Sequence, residues 1–144
     1  MDQKLAVNAK VLVIDDQTIA KGYMKYALEE LGFEQIYYVD KPKEALSLIR
    51  SKRFDLVICA YALKRDHDGY FLYEELKSKK VLSPATAFVF ISADTSPELV
   101  HSIVELQPDD FLVKPFTVAD MNKRFTKLLV RKKALKKVYS LIDK

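Results

Sequence analysis

Short apolar runs that stop abruptly at a polar or very small residue restrict this chain more than any other feature. Five consecutive apolar residues, Leu56 to Ala60, are bounded by charge before and a polar loop after. That pattern fits a strand buried on both faces of a parallel sheet rather than a half-exposed one. Three other runs behave alike: Val11-Leu12-Val13-Ile14 meets Asp15-Asp16, Phe88-Val89-Phe90-Ile91 meets Ser92, and Phe111-Leu112-Val113 meets Lys114-Pro115. In parallel sheets chemistry sits just beyond the carboxyl ends of the strands. Four strand ends would therefore gather two carboxylates, a methyl, a hydroxyl and an ammonium.

Between these runs lie helical patterns. Residues 1–9 read as a polar lead without periodicity, and Lys10 to Ile14 as the first strand. Ile19, Tyr23, Tyr26, Ala27 and Leu31 recur at helical spacing before Gly32, a C-terminal stop signal. Gln35 to Val39 reads as a second strand, and Asp40 as the cap of a helix with Pro42 in its first turn and Ala45, Leu46, Leu48 and Ile49 buried. A helix from Tyr70 to Lys80 would pack Tyr70, Phe71, Tyr73 and Leu76. Strands at Thr86 to Ile91 and Asp109 to Val113 flank another helix starting at Ser96-Pro97. Five βα units in succession predict an open parallel sheet with helices on both faces.

The last helix starts at Thr117-Val118-Ala119-Asp120, a capping-box-like sequence, and shows no stop before Lys144. Its heptad positions Val118, Met121, Phe125, Leu128, Lys132, Leu135, Tyr139 and Ile142 are apolar except Lys132. Roughly 25 helical residues would span about 40 Å, so its second half is expected to leave the body. The division is thus a lead (1–9), a compact domain (10–130) and a basic helical extension (131–144). Nine of the 24 basic residues and one of the 20 acids lie from Asn122 onwards, which makes that stretch +8 and leaves −4 for the rest. The overall charge of +4 therefore comes from a tail, an argument against a nucleic-acid-binding body. No stretch is long and apolar enough for a membrane span or a signal peptide, which points to a cytosolic protein. Cys59, the one cysteine, falls inside a strand and reads as a small core residue.

Asp15 and Asp16, at a strand-to-loop transition, can face one cavity and attract a divalent cation. Oxygen donors suit Mg²⁺; zinc would want histidine or cysteine, and His67, His101 and Cys59 are unsuitably spaced. Ser92 and Lys114 opposite the metal would serve the peripheral oxygens of a phosphoryl group.

Over about Lys10 to Leu129 these motifs, in this order, resemble the receiver domain of a two-component response regulator. The resemblance implies a flavodoxin-like three-layer α/β/α sandwich with strand order 2-1-3-4-5, a signalling module rather than an enzyme. It places Mg²⁺ on Asp15, Asp16 and the backbone carbonyl of Ala62, the phosphate-sensing hydroxyl on Ser92, and the phosphate-pairing ammonium on Lys114. The Lys114-Pro115 bond would be cis, and Phe111 would be the switch aromatic. It further implies a histidine kinase or phosphotransfer protein as donor and an output domain, possibly helical, beyond the last helix.

The phosphoacceptor aspartate of that family falls on Ala60, and a methyl cannot form an acyl phosphate. Mg²⁺ binding is expected to be weakened for the same reason. The loop after Ala60 also lacks the proline common there, carries Lys64 nearby, and sets Asp68-Gly69 one residue late. The preferred account is an engineered aspartate-to-alanine form, because Asp15 and Asp16 repel each other and gain nothing from an intact surround without an acceptor. The alternative is a natural pseudo-receiver acting by protein interaction alone. A flavin- or nucleotide-binding protein of the same architecture would need a Gly/Ser/Thr-rich phosphate loop, which Asp15-Asp16-Gln17 does not supply.

Overall fold

The structure is a computed structural model that describes residues 1–63 and 68–142. Lys64, His67, Asp143 and Lys144 lie outside the described residues, as do the side chains of Tyr139 and Ile142. In chain order the elements are α1 (Gln3–Asn8), β1 (Lys10–Ile14), α2 (Thr18–Glu30), β2 (Gln35–Val39), α3 (Pro42–Ser51), β3 (Leu56–Ala60), α4 (Asp68–Ser78), β4 (Ala87–Ser92), α5 (Pro97–Leu106), β5 (Asp110–Val113) and α6 (Val118–Ile142). The five strands form one parallel sheet in the order β2-β1-β3-β4-β5.

Every residue of β3 and β4 is buried, the condition under which a strand reads as an unbroken apolar run. Alternate side chains serve opposite layers. Leu12, Ile14, Val57, Cys59, Phe88 and Phe90 meet Ala45 and Ile49 of α3, Leu72, Tyr73 and Leu76 of α4, and Leu99, Ile103 and Leu106 of α5. Val11, Val13, Leu56, Ile58, Val89 and Ile91 meet Ala6 of α1, Met24, Ala27 and Leu28 of α2, and Met121, Phe125, Leu128 and Leu129 of α6.

Four local readings need correction. The polar lead contains α1, capped by Asp2, whose carboxylate accepts the Leu5 N–H at 3.1 Å; its one buried residue, Ala6, is too weak an apolar signal to reveal a six-residue helix. On α2 the buried face is Met24, Ala27 and Leu28, while Ile19 is 89% exposed and Tyr26 57% exposed. The helix carries two apolar stripes about a quarter turn apart, at ~100° per residue, and the sheet takes the one formed by Met24, Ala27 and Leu28. α3 is capped at Lys41, without a side-chain cap bond, rather than at Asp40. On α4, Leu72 occupies the packed face and Phe71 is exposed.

α6 stays against the body further than its heptads suggested. Lys132 donates to the Pro84 carbonyl at 3.0 Å and pairs with Asp109 at 2.9 Å. Asp109 in turn accepts the Phe88 N–H at 2.7 Å, so the lysine that interrupts the heptad is the residue that fastens the helix to the base of β4.

Candidate functional site

The parallel register brings the strand ends to one rim. Ile14 pairs with Cys59, Ala60 with Ile91, and Ser92 with Val113, so Asp15, Ala60, Ser92 and Lys114 stand at or one residue past neighbouring strand ends. The Asp15 N–H donates to the Val39 carbonyl at 3.1 Å, prolonging the ladder with β2. Its carboxylate accepts the Gln17 N–H at 3.0 Å, an Asx-type turn that aims the chain into α2.

Asp15 is 5% exposed. Burial pushes its carboxyl above the ordinary value of 3.8; the Gln17 N–H and then Lys114 pull it back, Asp16 raises it further, and Lys21 lowers it. Lys21, one turn into α2, was not singled out from the sequence, although its position after the acidic pair was the available signal. Oδ1 of Asp16 is buried without a hydrogen-bond partner among the described residues. An acid whose folded pKa exceeds its unfolded value holds its proton more tightly when folded, so stability falls as pH rises past the unfolded value. In metal-free buffer, Asp15→Asn is therefore expected to raise Tm at neutral pH, and the gain should fade as pH drops toward 3.8. Thermal melts of both proteins across that range check it; a gain independent of pH would assign the effect to packing.

The Lys114 N–H donates to the Ser92 carbonyl at 2.9 Å, and the Lys114-Pro115 peptide is cis. Ser92 is buried; its hydroxyl accepts the Asp94 N–H at 3.0 Å and donates to the Asp94 carbonyl at 3.2 Å. Ala60 is buried, while Ala62 is exposed in the following loop. Phe111 lies away from the rim: it pairs with Phe90 in mid-strand and packs half-buried on the α3–α5 side.

Gly69, to which no role was assigned from its place in the chain, packs against the end of β3. Its N–H donates to the Tyr61 carbonyl at 2.9 Å. A Cβ on it would lie 2.5 Å from the Ala60 carbonyl oxygen and 2.7 Å from that of Tyr61. The neighbouring Tyr61 is fully buried, edge-on to Phe90 at 5.7 Å.

Among the described residues no group of three or more His, Cys, Asp or Glu is placed to hold a metal. The available donors are the two carboxylates of Asp15 and Asp16, one with an unpartnered oxygen. An oxygen-only, partly filled set of this kind suits a hard cation that keeps several waters.

A sequence profile of the response regulator receiver domain matches residues 11–126. The chain belongs to that family. Among curated relatives, this receiver is 27% identical to a probable chemotaxis protein CheY of Rhizobium etli, over 81% of its own length and 89% of that protein. It is 29% identical to the alkaline phosphatase synthesis transcriptional regulatory protein PhoP of Bacillus subtilis, over 87% of its own length but only 50% of that protein. Among solved structures, the receiver domain of Francisella response regulator 1452 superposes with a TM-score of 0.74 at 29% identity, covering 86% of this chain and 98% of that one. The receiver is thus a non-enzymatic module of two-component signalling. Among its described residues no helix is long and apolar enough to cross a membrane.

Proposed function

We propose that this receiver serves phosphorelay signalling and that, with alanine at position 60, it is unable to accept the phosphoryl group. One observation carries the reading: the residue ending β3, where Asp15, Ser92 and Lys114 share the rim, is Ala60. Its methyl has no lone pair with which to attack phosphorus. Asp15 and Asp16 would hold Mg²⁺ together with the Ala62 carbonyl, more weakly than if position 60 supplied a third carboxylate. When bound, the ion would offset carboxylate charge and draw a phosphoryl oxygen. Ser92 and Lys114 would answer the peripheral oxygens of an acceptor-bound phosphate, with Phe111 following as the switch aromatic. A histidine kinase or phosphotransfer protein is the corresponding donor. PhoP runs to about twice the matched length, which supports an output domain beyond α6 in the complete protein.

For the origin of Ala60 we favour replacement of a parent aspartate. Asp15 is desolvated and set beside Asp16, an arrangement that costs stability and is useful only with a cation and an acceptor. A native alanine in a receiver that works by binding alone is favoured by a different observation: the Ser92 hydroxyl is closed onto its own loop through Asp94. The codon for residue 60 in the encoding genome separates the two. The function itself is tested by incubating the unaltered chain with phosphoramidate and Mg²⁺ and recording intact mass. No change is expected, and a stable phosphoryl adduct on any residue would overturn the reading.

A further inference from the structure

Outside the rim, the strongest surface feature is a groove of about 470 Å³ between α1 and the second half of α6. Its apolar lining comes from Leu5, Val130 and Ala134, and three lysines, Lys4, Lys133 and Lys137, outnumber the one acid, Asp2. Val130 is 55% exposed, and the stripe continues at helical spacing through Val138, 50% exposed, and Leu141, 72% exposed. A neighbouring cavity of about 150 Å³, shared with Lys4 and Lys133, adds Lys132 and Lys136. Across the 25 residues of α6 there are eight Lys and Arg and one acid, Asp120. Nearly all of this surface lies outside residues 11–126, the part matched by the receiver profile.

We propose that this groove receives an acidic amphipathic helix of a partner protein. Such a helix sets an apolar ridge on that lining and carboxylates against the lysines, which is the helix-in-groove mode of recognition with complementary charge. Other occupants fit less well. Nucleic acid would use the lysines but leave Leu5, Val130 and Ala134 in water beneath charged phosphates. A bilayer is flat where this surface is concave. A second copy docking by two-fold symmetry would set the same lysines against each other.

The test uses the whole chain and a fluorescein-labelled peptide with leucines on one helical face and glutamate and alanine on the others, followed by anisotropy. A peptide of the same composition, shuffled so that the leucines do not line up, is the control. The ordered peptide should bind at least ~10-fold more tightly than the shuffled one, and the double variant Lys133→Glu/Lys137→Glu should weaken it by about 10-fold at low salt with an unchanged melting curve. Val130→Ser should weaken the ordered peptide and leave the shuffled one unaffected. Equal binding of both peptides would reduce the groove to unspecific charge and overturn the proposal. So would a DNA duplex or phosphatidylserine vesicles that bind more tightly than the ordered peptide through the same two lysines.

Discussion

Ala60→Asp is expected to turn an inert protein into one that takes up a single phosphoryl group per chain from phosphoramidate in the presence of Mg²⁺. A carboxylate oxygen at the end of β3 would attack phosphorus, the P–N bond would break, and ammonia would leave with the electron pair. On the proposed reading, Asp15 and Asp16 would hold the cation, and Lys114, close enough to Asp15 to pull its pKa down, would meet the phosphoryl oxygens. The same variant should bind Mg²⁺ more tightly, because an ion that sheds water reluctantly gains a direct anionic ligand. Adding Lys114→Ala to Ala60→Asp should slow labelling by about 10²–10³, the usual cost of one preorganised charge-stabilising group. Intact mass over time reads both effects. Failure of Ala60→Asp to label while it still folds would show that position 60 is not the acceptor.

Gly69→Ala is expected to destabilise the domain by about 3 kcal/mol, the upper part of the range for forced overpacking. The clash differs from one with a flexible side chain. The added Cβ would meet the carbonyl oxygens of Ala60 and Tyr61 and the Cα of Tyr61, at 2.5, 2.7 and 2.8 Å. These backbone atoms are tied to the sheet through the Tyr61 N–H to Ile91 carbonyl bond at 2.9 Å, so either α4 retreats or β3 bends. Converted at the usual entropy of unfolding, the loss is roughly 10 °C in Tm for a domain of this size. Calorimetry of Gly69→Ala beside Gly22→Ala settles it, since a Cβ on Gly22 meets nothing within 4 Å. Equal melting temperatures for the two would refute the contact.

The strands were legible because each is short, apolar and stopped by a residue of different chemistry; β3 and β4 could be read within a residue or so of their bounds from burial alone. Strand order followed from the family resemblance. The rim residues were legible for the same reason, since a parallel sheet delivers whatever follows its strands to one edge. What failed were choices between nearly equal helical faces. On α2, Tyr23 and Tyr26 offer as much ring surface as Met24 and Leu28 offer aliphatic surface, but their hydroxyls favour the side that reaches water. Gly69 was visible as a residue but not as a contact, because its importance lies in the Ala60 and Tyr61 carbonyls approaching from another element. α1 was missed because a short helix docking through one alanine leaves almost no periodicity. Lys132 reads in sequence as a flaw in a heptad, and its two body contacts, Pro84 and Asp109, are 48 and 23 residues away.

The aromatic residues are distributed unevenly between the two layers. The chain has eight tyrosines and no tryptophan. Tyr61 and Tyr73 are buried against Phe88 and Phe90 in the α3–α5 layer, with Tyr37 and Tyr70 beside them. Burial pushes the Tyr73 hydroxyl up to about 12, so that ring stays un-ionised in moderately alkaline solution. Tyr26 is exposed, Tyr23 is partly exposed but holds Phe116 edge-on with its hydroxyl donating to the Phe116 carbonyl at 2.8 Å, and Tyr38 packs into the other layer. Near-ultraviolet circular dichroism, which depends on rigidly held rings, is therefore weighted toward the α3–α5 half of this molecule. Detachment of α2 would register in that signal only through the Tyr23–Phe116 contact, whereas loosening of α4 would free Tyr73 from Phe88 and Phe90 and remove a larger part of it.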